Sequence, residues 1–197
     1  MLRNTLRHIA WTLLVTFAAT AQVRAATYDE AIDGDLSGNP AAPTPFVLEP
    51  GSNRLFGAAG QTDYDLLAVT IPAGHVLDSL VLDAFVLDFT FSSFIAVANG
   101  PTWPTGLGGS VSPAQLIGWE LFDDSQIGLD LLPGIASNIG AFTPPLASGV
   151  YSILLQDTSS PFTYAFTFNV TAVPEPAAAG LALVGLFALG RRRFRVA

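Results

Sequence analysis

The 197-residue sequence contains no cysteine and no lysine. Without thiols there is no disulfide framework, no thiolate zinc site and no thiol redox chemistry. Stability has to come from a packed core, with a bound ion as the one available supplement. Only 12% of residues are charged, and there are two histidines. All eight positive charges are arginine, and seven lie near the ends: Arg3, Arg7 and Arg24, then Arg191, Arg192, Arg193 and Arg195. Between them stands Arg54 alone, while all sixteen acids fall between Asp29 and Glu175, a span of net charge −15. Such a segment repels phosphate backbones and anionic lipid headgroups, which excludes nucleic acid as a partner. Divalent cations and neutral or cationic partners stay compatible with it.

The mean hydropathy is +0.48, and the excess sits at the two ends. Residues 1–25 have the anatomy of a secretory signal. Arg3 and Arg7 form a basic start, Ile9 to Ala19 an apolar stretch too short for a comfortable span, and Val23-Arg24-Ala25 a cleavage site after Ala25. Residues 173–197 have three parts. Val173-Pro174-Glu175-Pro176 is stiff and non-helical, because each proline fixes its own φ and restricts its predecessor. Ala177 to Gly190 is an uncharged apolar run, about 21 Å long as a helix, against a hydrocarbon core of about 30 Å. Arg191, Arg192, Arg193 and Arg195 then act as a stop-transfer cluster on the cytoplasmic side. A short span of this kind suits a transient membrane anchor removed by processing.

In this order the three parts resemble the PEP-CTERM sorting signal of Gram-negative bacteria. The resemblance implies recognition of Pro174, Glu175 and Pro176 by an exosortase, as a substrate motif and not as a catalytic site. It also implies a final place at the cell surface, in the outer envelope or in an exopolysaccharide matrix.

Residues 26–172 read as one exported, all-β domain. Phe162, Tyr164, Phe166, Phe168 and Val170 alternate with Thr163, Ala165, Thr167 and Asn169, a period of two on β-prone residues. Gly149 to Gln156 is a second strong strand, and Thr158-Ser159-Ser160-Pro161 between them predicts an antiparallel hairpin. Further strands are expected at Phe46–Leu48, Arg54–Gly57, Tyr64–Ile71, Leu77–Phe85, Phe91–Ala98 and Leu116–Phe122, with Pro72-Ala73-Gly74 closing one of them. Segment 99–114, with four glycines and three prolines, reads as a long surface loop, and 130–148 as a short helix or turn. Many short strands with such punctuation predict an antiparallel β-sandwich, jelly-roll-like.

Several stretches resemble the bacterial pre-peptidase C-terminal (PPC) domain: Asp29-Glu30-Ala31, Asp33-Gly34-Asp35-Leu36-Ser37, Gly51 onward, Asp63-Tyr64-Asp65 and Ile71-Pro72-Ala73-Gly74. Asp65-Leu66-Leu67 departs from that pattern by lacking the aromatic after the Asp-Tyr pair, and no protease accompanies the domain. The resemblance implies a β-sandwich with a binding or chaperone-like role.

The sharpest chemical option is calcium. Asp33-Gly34-Asp35-Leu36-Ser37-Gly38 places oxygen ligands at alternate positions and glycine sixth, but Thr44 stands where an EF-hand needs a bidentate glutamate. A sandwich-edge site would instead combine Asp33, Asp35, Asp63 and Asp65, or use Asp123 and Asp124; the alternative is a solvated acidic turn. Catalysis has little to stand on. His75 is the one histidine outside the signal, no nucleophile elbow is present, and Glu49 and Glu120 are the glutamate pair weighed for glycoside hydrolysis. Trp103, between Thr102 and Pro104 in a Gly/Pro-rich loop, is a candidate for stacking on sugar rings, whereas Trp119 in an apolar strand is expected in the core. The sequence thus points to a non-enzymatic structural, adhesive or carbohydrate-binding surface protein. An extracellular hydrolase or hydrolase-accessory domain and a calcium-dependent adhesion or chaperone-like module are the alternatives.

Overall fold

The computed structural model describes residues 25–87, 92–157 and 160–173. The expected signal segment and the expected sorting motif beyond Val173, with Pro174, Glu175, Pro176 and the arginine cluster, lie outside the described residues. Among the described residues, eight strands and two short α-helices follow in order, besides three single 3-10 turns. They are β1 (Thr27–Asp29), α1 (Glu30–Asp33), β2 (Thr44–Val47), β3 (Gly51–Ala59), β4 (Asp65–Leu87), β5 (Ser93–Asn99), β6 (Gly118–Phe122), α2 (Leu132–Ser137), β7 (Leu146–Gln156) and β8 (Phe162–Ala172).

The domain is all-β and sandwich-like, as the alternating pattern predicts. The strand order is β1-β3-β8-β4-β7-β5-β6, with β2 pairing to β4. Most pairs are antiparallel, but β1·β3 and β2·β4 are parallel, so the sheet is mixed. Strand β4 joins the two layers. Its first part, Asp65 to Ile71, pairs with β7, and its last part, His75 to Leu87, pairs with β8. Tyr164 is the register partner of Phe85, yet its hydroxyl bonds Asp65. The two ends of β4 therefore face each other, and the strand doubles back between Ile71 and Leu77. Pro72-Ala73-Gly74 is that corner: the ladder shifts register there, proline is tolerated where a bulge needs no donor, and Gly74 takes φ +75°.

The expected β7–β8 hairpin is not formed. Each strand pairs with a different part of β4, so the connection crosses from one layer to the other. Both strands need to bury apolar side chains in one interlayer core, and they do so from opposite sides. That core holds Leu55, Leu67, Val69, Leu80, Leu82, Ile95, Val97, Ile153 and Leu155. Phe85, Phe122, Phe162, Tyr164 and Phe166 add a chain of edge-on and tilted ring contacts.

A second, smaller core lies on the outer face of the β4–β7–β5 layer. Leu66, Ala96, Ala98 and Leu154 point away from the first core and are covered by Trp103 and Leu116. The 99–114 segment is thus a packed cover. Trp103 N–H donates to Pro40 O at 2.9 Å, its Nε1–H to Gly106 O at 3.1 Å, and Ser152 Oγ–H to Thr102 O at 3.1 Å.

Chain entry and exit follow from the register. Ala26, the first residue after the predicted cleavage point, donates its N–H to Oδ1 of fully buried Asn53. Asn53 also bonds the carbonyls of Glu49, Gly51 and Phe168. Val173 donates to Gly74 O just past the end of β8. Tyr164 lies eight residues back along that strand, roughly 26 Å away. Val173 therefore lies at the pole opposite Tyr164 and Asp65.

Candidate metal centre

At that distal pole, carboxylate oxygens of Glu30, Asp35 and Asp65 lie within 4.8 Å of one another. Three separate local structures bring them together. Asp29 caps α1 by accepting from Ala31 N–H, which sets Glu30 at the first helical position. Glu30 then spans to two backbones, its Oε1 accepting from Leu36 N at 2.9 Å and its Oε2 from Ala58 N at 2.6 Å. Asp35 is held near the start of β4 by the Ser37–Leu66 bridge, in which Leu66 N–H donates to Ser37 O at 3.0 Å. Asp65 opens β4 and is fully buried.

The partners of Asp65 are incomplete. Its Oδ2 accepts a 2.5 Å bond from Tyr164 OH, and its Oδ1 is buried with no hydrogen-bond partner. An orphaned buried acceptor is costly, more so when charged. Burial pushes the Asp65 carboxyl up to about 8, the Tyr164 bond opposes this, and Glu30, Asp63 and Asp35 add to the rise. Glu30 is raised by burial, against its two backbone bonds, with Asp35 and Asp63 contributing. Asp63 is raised by burial and by Asp35. The Tyr164 hydroxyl is pushed well up, first by burial and then by Asp65. These shifts have one electrostatic meaning: the pole gathers more negative charge than it can hold without a proton or a cation.

Gly57 makes the close packing feasible. A Cβ there would collide with the Tyr164 hydroxyl and lie 2.9 Å from Glu30 Oε2. The donor set is entirely carboxylate oxygen, the chemistry of hard cations such as calcium or magnesium and a poor match for softer metals. The residues fit such an ion: Asp65 Oδ1 is an unused acceptor, and the carboxylates of Glu30 and Asp35 converge with that of Asp65.

Of the four aspartates the sequence proposes, the structure brings Asp35 and Asp65 into this group and leaves two outside. Asp33 Oδ2 accepts from Asp29 N–H at 2.9 Å and closes the α1 turn, so its oxygen is committed to a local cap. Asp63 is exposed on the adjoining turn, where it acts on the group through its charge. Glu30 takes the vacant role; nothing local in the sequence marks it as a ligand beyond its place beside Asp29. Of the alternative pair, Asp123 is held low by bonds from the Ser125 hydroxyl and N–H and caps the turn Asp124–Gln126, and Asp124 is exposed on that turn; neither joins the group.

The remaining candidates separate. His75 contacts Ala73 O at 3.1 Å and pairs with Ala172, at the pole of chain exit. Glu49 lies beside Asn53, whereas Glu120 sits on β6 at the far edge of the strand order, so the two share no cleft. Trp103 corrects the expectation of an exposed stacking residue. Only 4% of it is accessible, because its ring seals the second core. Trp119, expected inside, is instead half-buried, and it stacks on Phe94 with ring centroids 5.8 Å apart and planes at 30°. No family model, curated protein or solved structure matches this chain.

Proposed function

We propose that this chain is an exported, non-enzymatic surface protein whose β-sandwich is a calcium-dependent structural or adhesive module. Its Pro-Glu-Pro tail would be read by an exosortase, leaving the domain at the outer envelope or in the exopolysaccharide layer. The observations that carry the calcium part are the orphaned Oδ1 of fully buried Asp65 and the convergence of its carboxylate with those of Glu30 and Asp35, one oxygen of each lying within 4.8 Å of the others. A divalent ion would give that oxygen a partner and offset the crowding of charge, while waters and neighbouring oxygens completed a coordination number of about six to eight. Export supports this reading, since extracellular modules work with dissociation constants of about 0.1–1 mM.

The test is thermal unfolding of the full-length chain after chelation, with and without calcium. At a ligand concentration about 100 times the dissociation constant, linkage adds about 2.7 kcal/mol, a rise of several degrees in Tm. No rise with calcium or magnesium, and no heat in titration calorimetry, would remove the cation from the function. The sorting part is tested separately by the intact mass of protein recovered from producing cells. Loss of residues near Ala25 and near Pro174 to Pro176 supports it, and an intact C-terminus in the membrane fraction overturns it.

A further inference from the structure

We propose that the recess floored by Phe94 and Trp119 binds one ring of a neutral saccharide. It lies on the outer face of the β7–β5–β6 layer, where the cover formed by residues 100–117 stops. Gly108, Val111, Pro113 and Leu116 of that cover form the rim, and Gln156 closes the inner wall. The cavity is about 240 Å³, below the ~300–1,000 Å³ of sites for drug-sized ligands. A helix or strand does not enter a hole of that size, but a single pyranose ring does.

The lining has two chemistries. Phe94 and Trp119 present a stacked, half-exposed aromatic pair beside the small Ala96, the register partner of Trp119. An apolar sugar face stacks on such a surface while its hydroxyl edge stays polar. Gln156 supplies a fixed polar group. Its Oε1 accepts from Gly108 N–H at 3.0 Å and its Nε2 donates to Gly108 O at 3.4 Å, which leaves one amide hydrogen and one lone pair beyond these bonds. Among the described residues, no charged side chain lines the recess. Arg54, the one arginine between Asp29 and Glu175, lies on β3, in the other layer. An acidic sugar would find no countercharge here and would meet a domain of strongly negative net charge, so the ligand is neutral.

This site is separate from the cation centre and goes beyond that reading; it can fail while calcium binding stands, and the reverse. The test is a fluorescence and calorimetric titration of the full-length chain with cellohexaose, laminarihexaose and maltohexaose, with polygalacturonate as the acidic control. At least one neutral oligosaccharide should saturate, and polygalacturonate should not. Trp119→Ala and Phe94→Ala should each weaken binding by about tenfold or more, whereas Trp119→Phe should retain most of it, with thermal unfolding confirming that each variant folds. The proposal is overturned if no neutral oligosaccharide saturates at millimolar concentration, or if binding survives both alanine variants. It is also overturned if sedimentation shows a self-association that Trp119→Ala abolishes, since the recess would then be an interface between copies.

Discussion

The two faces of the β4–β7–β5 layer are built differently from neighbouring residues of the same strands. Leu67, Ile153, Leu155, Ile95 and Val97 face the interlayer core and meet the phenylalanines of the opposite layer. Leu66, Leu154, Ala96 and Ala98 face outward and are closed over by one irregular segment pinned by Trp103. The inner face is covered by another sheet, whose own hydrogen-bond ladder holds it in place. The outer face is covered by loop, so its closure depends on one large ring and a few backbone bonds. The first should open only with the whole domain and the second more readily.

Substitutions can break this contrast. Phe122→Ala removes a fully buried ring that touches Phe85, Phe162 and Phe166. It should cost about 3–5 kcal/mol of global stability, read as a drop in Tm with protection lost throughout the sheet. Trp103→Ala should cost about 3 kcal/mol, toward the low end for such truncations because a loop can settle into the gap. Hydrogen exchange should rise across residues 100–117 and leave the interlayer strands protected. If both variants lose protection everywhere alike, the two faces form one cooperative unit and the contrast fails.

A pH series sharpens the comparison from the side of charge. Folded Asp65 holds its proton to about 8, against about 3.9 in an unfolded chain. Between those values the unfolded chain binds fewer protons, so chelated protein should lose stability as pH rises from about 4 to about 8, and level off above. One such group contributes at most about 1.4 kcal/mol per pH unit. Asp65→Asn should flatten this slope and abolish the response to calcium. A slope unchanged in the variant would place its origin elsewhere. The smallest expected effect is that of Leu121→Ser, at a half-exposed position on β6 where the cover has ended; it should change Tm by a degree or so at most.

The strands were legible because their signal is local. Phe162 to Val170 alternates so regularly that its position and buried face follow from period alone, and β8 (Phe162–Ala172) matches it. The placement of β4 between β7 and β8 was not legible, because adjacency along the chain says nothing about which strand intervenes in space. Residues 151–156 are buried on both faces, so the run shows no alternation to say which side is covered. The same gap explains the exchanged tryptophans. Trp103 looked exposed because glycine and proline surround it, yet those residues let the backbone fold flat over Leu66 and Leu154. Trp119 looked buried because its strand is apolar, yet β6 lies at the edge of the order. In the acidic centre, Asp35 and Asp65 could be anticipated from composition. Glu30, Gly57 and Tyr164 could not, because their meeting depends on a fold-back of β4 that no local motif encodes.

The exit of the chain has a mechanical consequence. A domain held by its C-terminal tail and gripped at the distal pole is pulled between Val173 and the neighbourhood of Asp65. That pull runs along β8, which is hydrogen-bonded to β3 on one side and β4 on the other over nearly its full length. Force along the strand loads those two ladders in shear, so many bonds share it at once and none is peeled open in turn. On the proposed reading of an anchored surface module, these two ladders would carry the tension together.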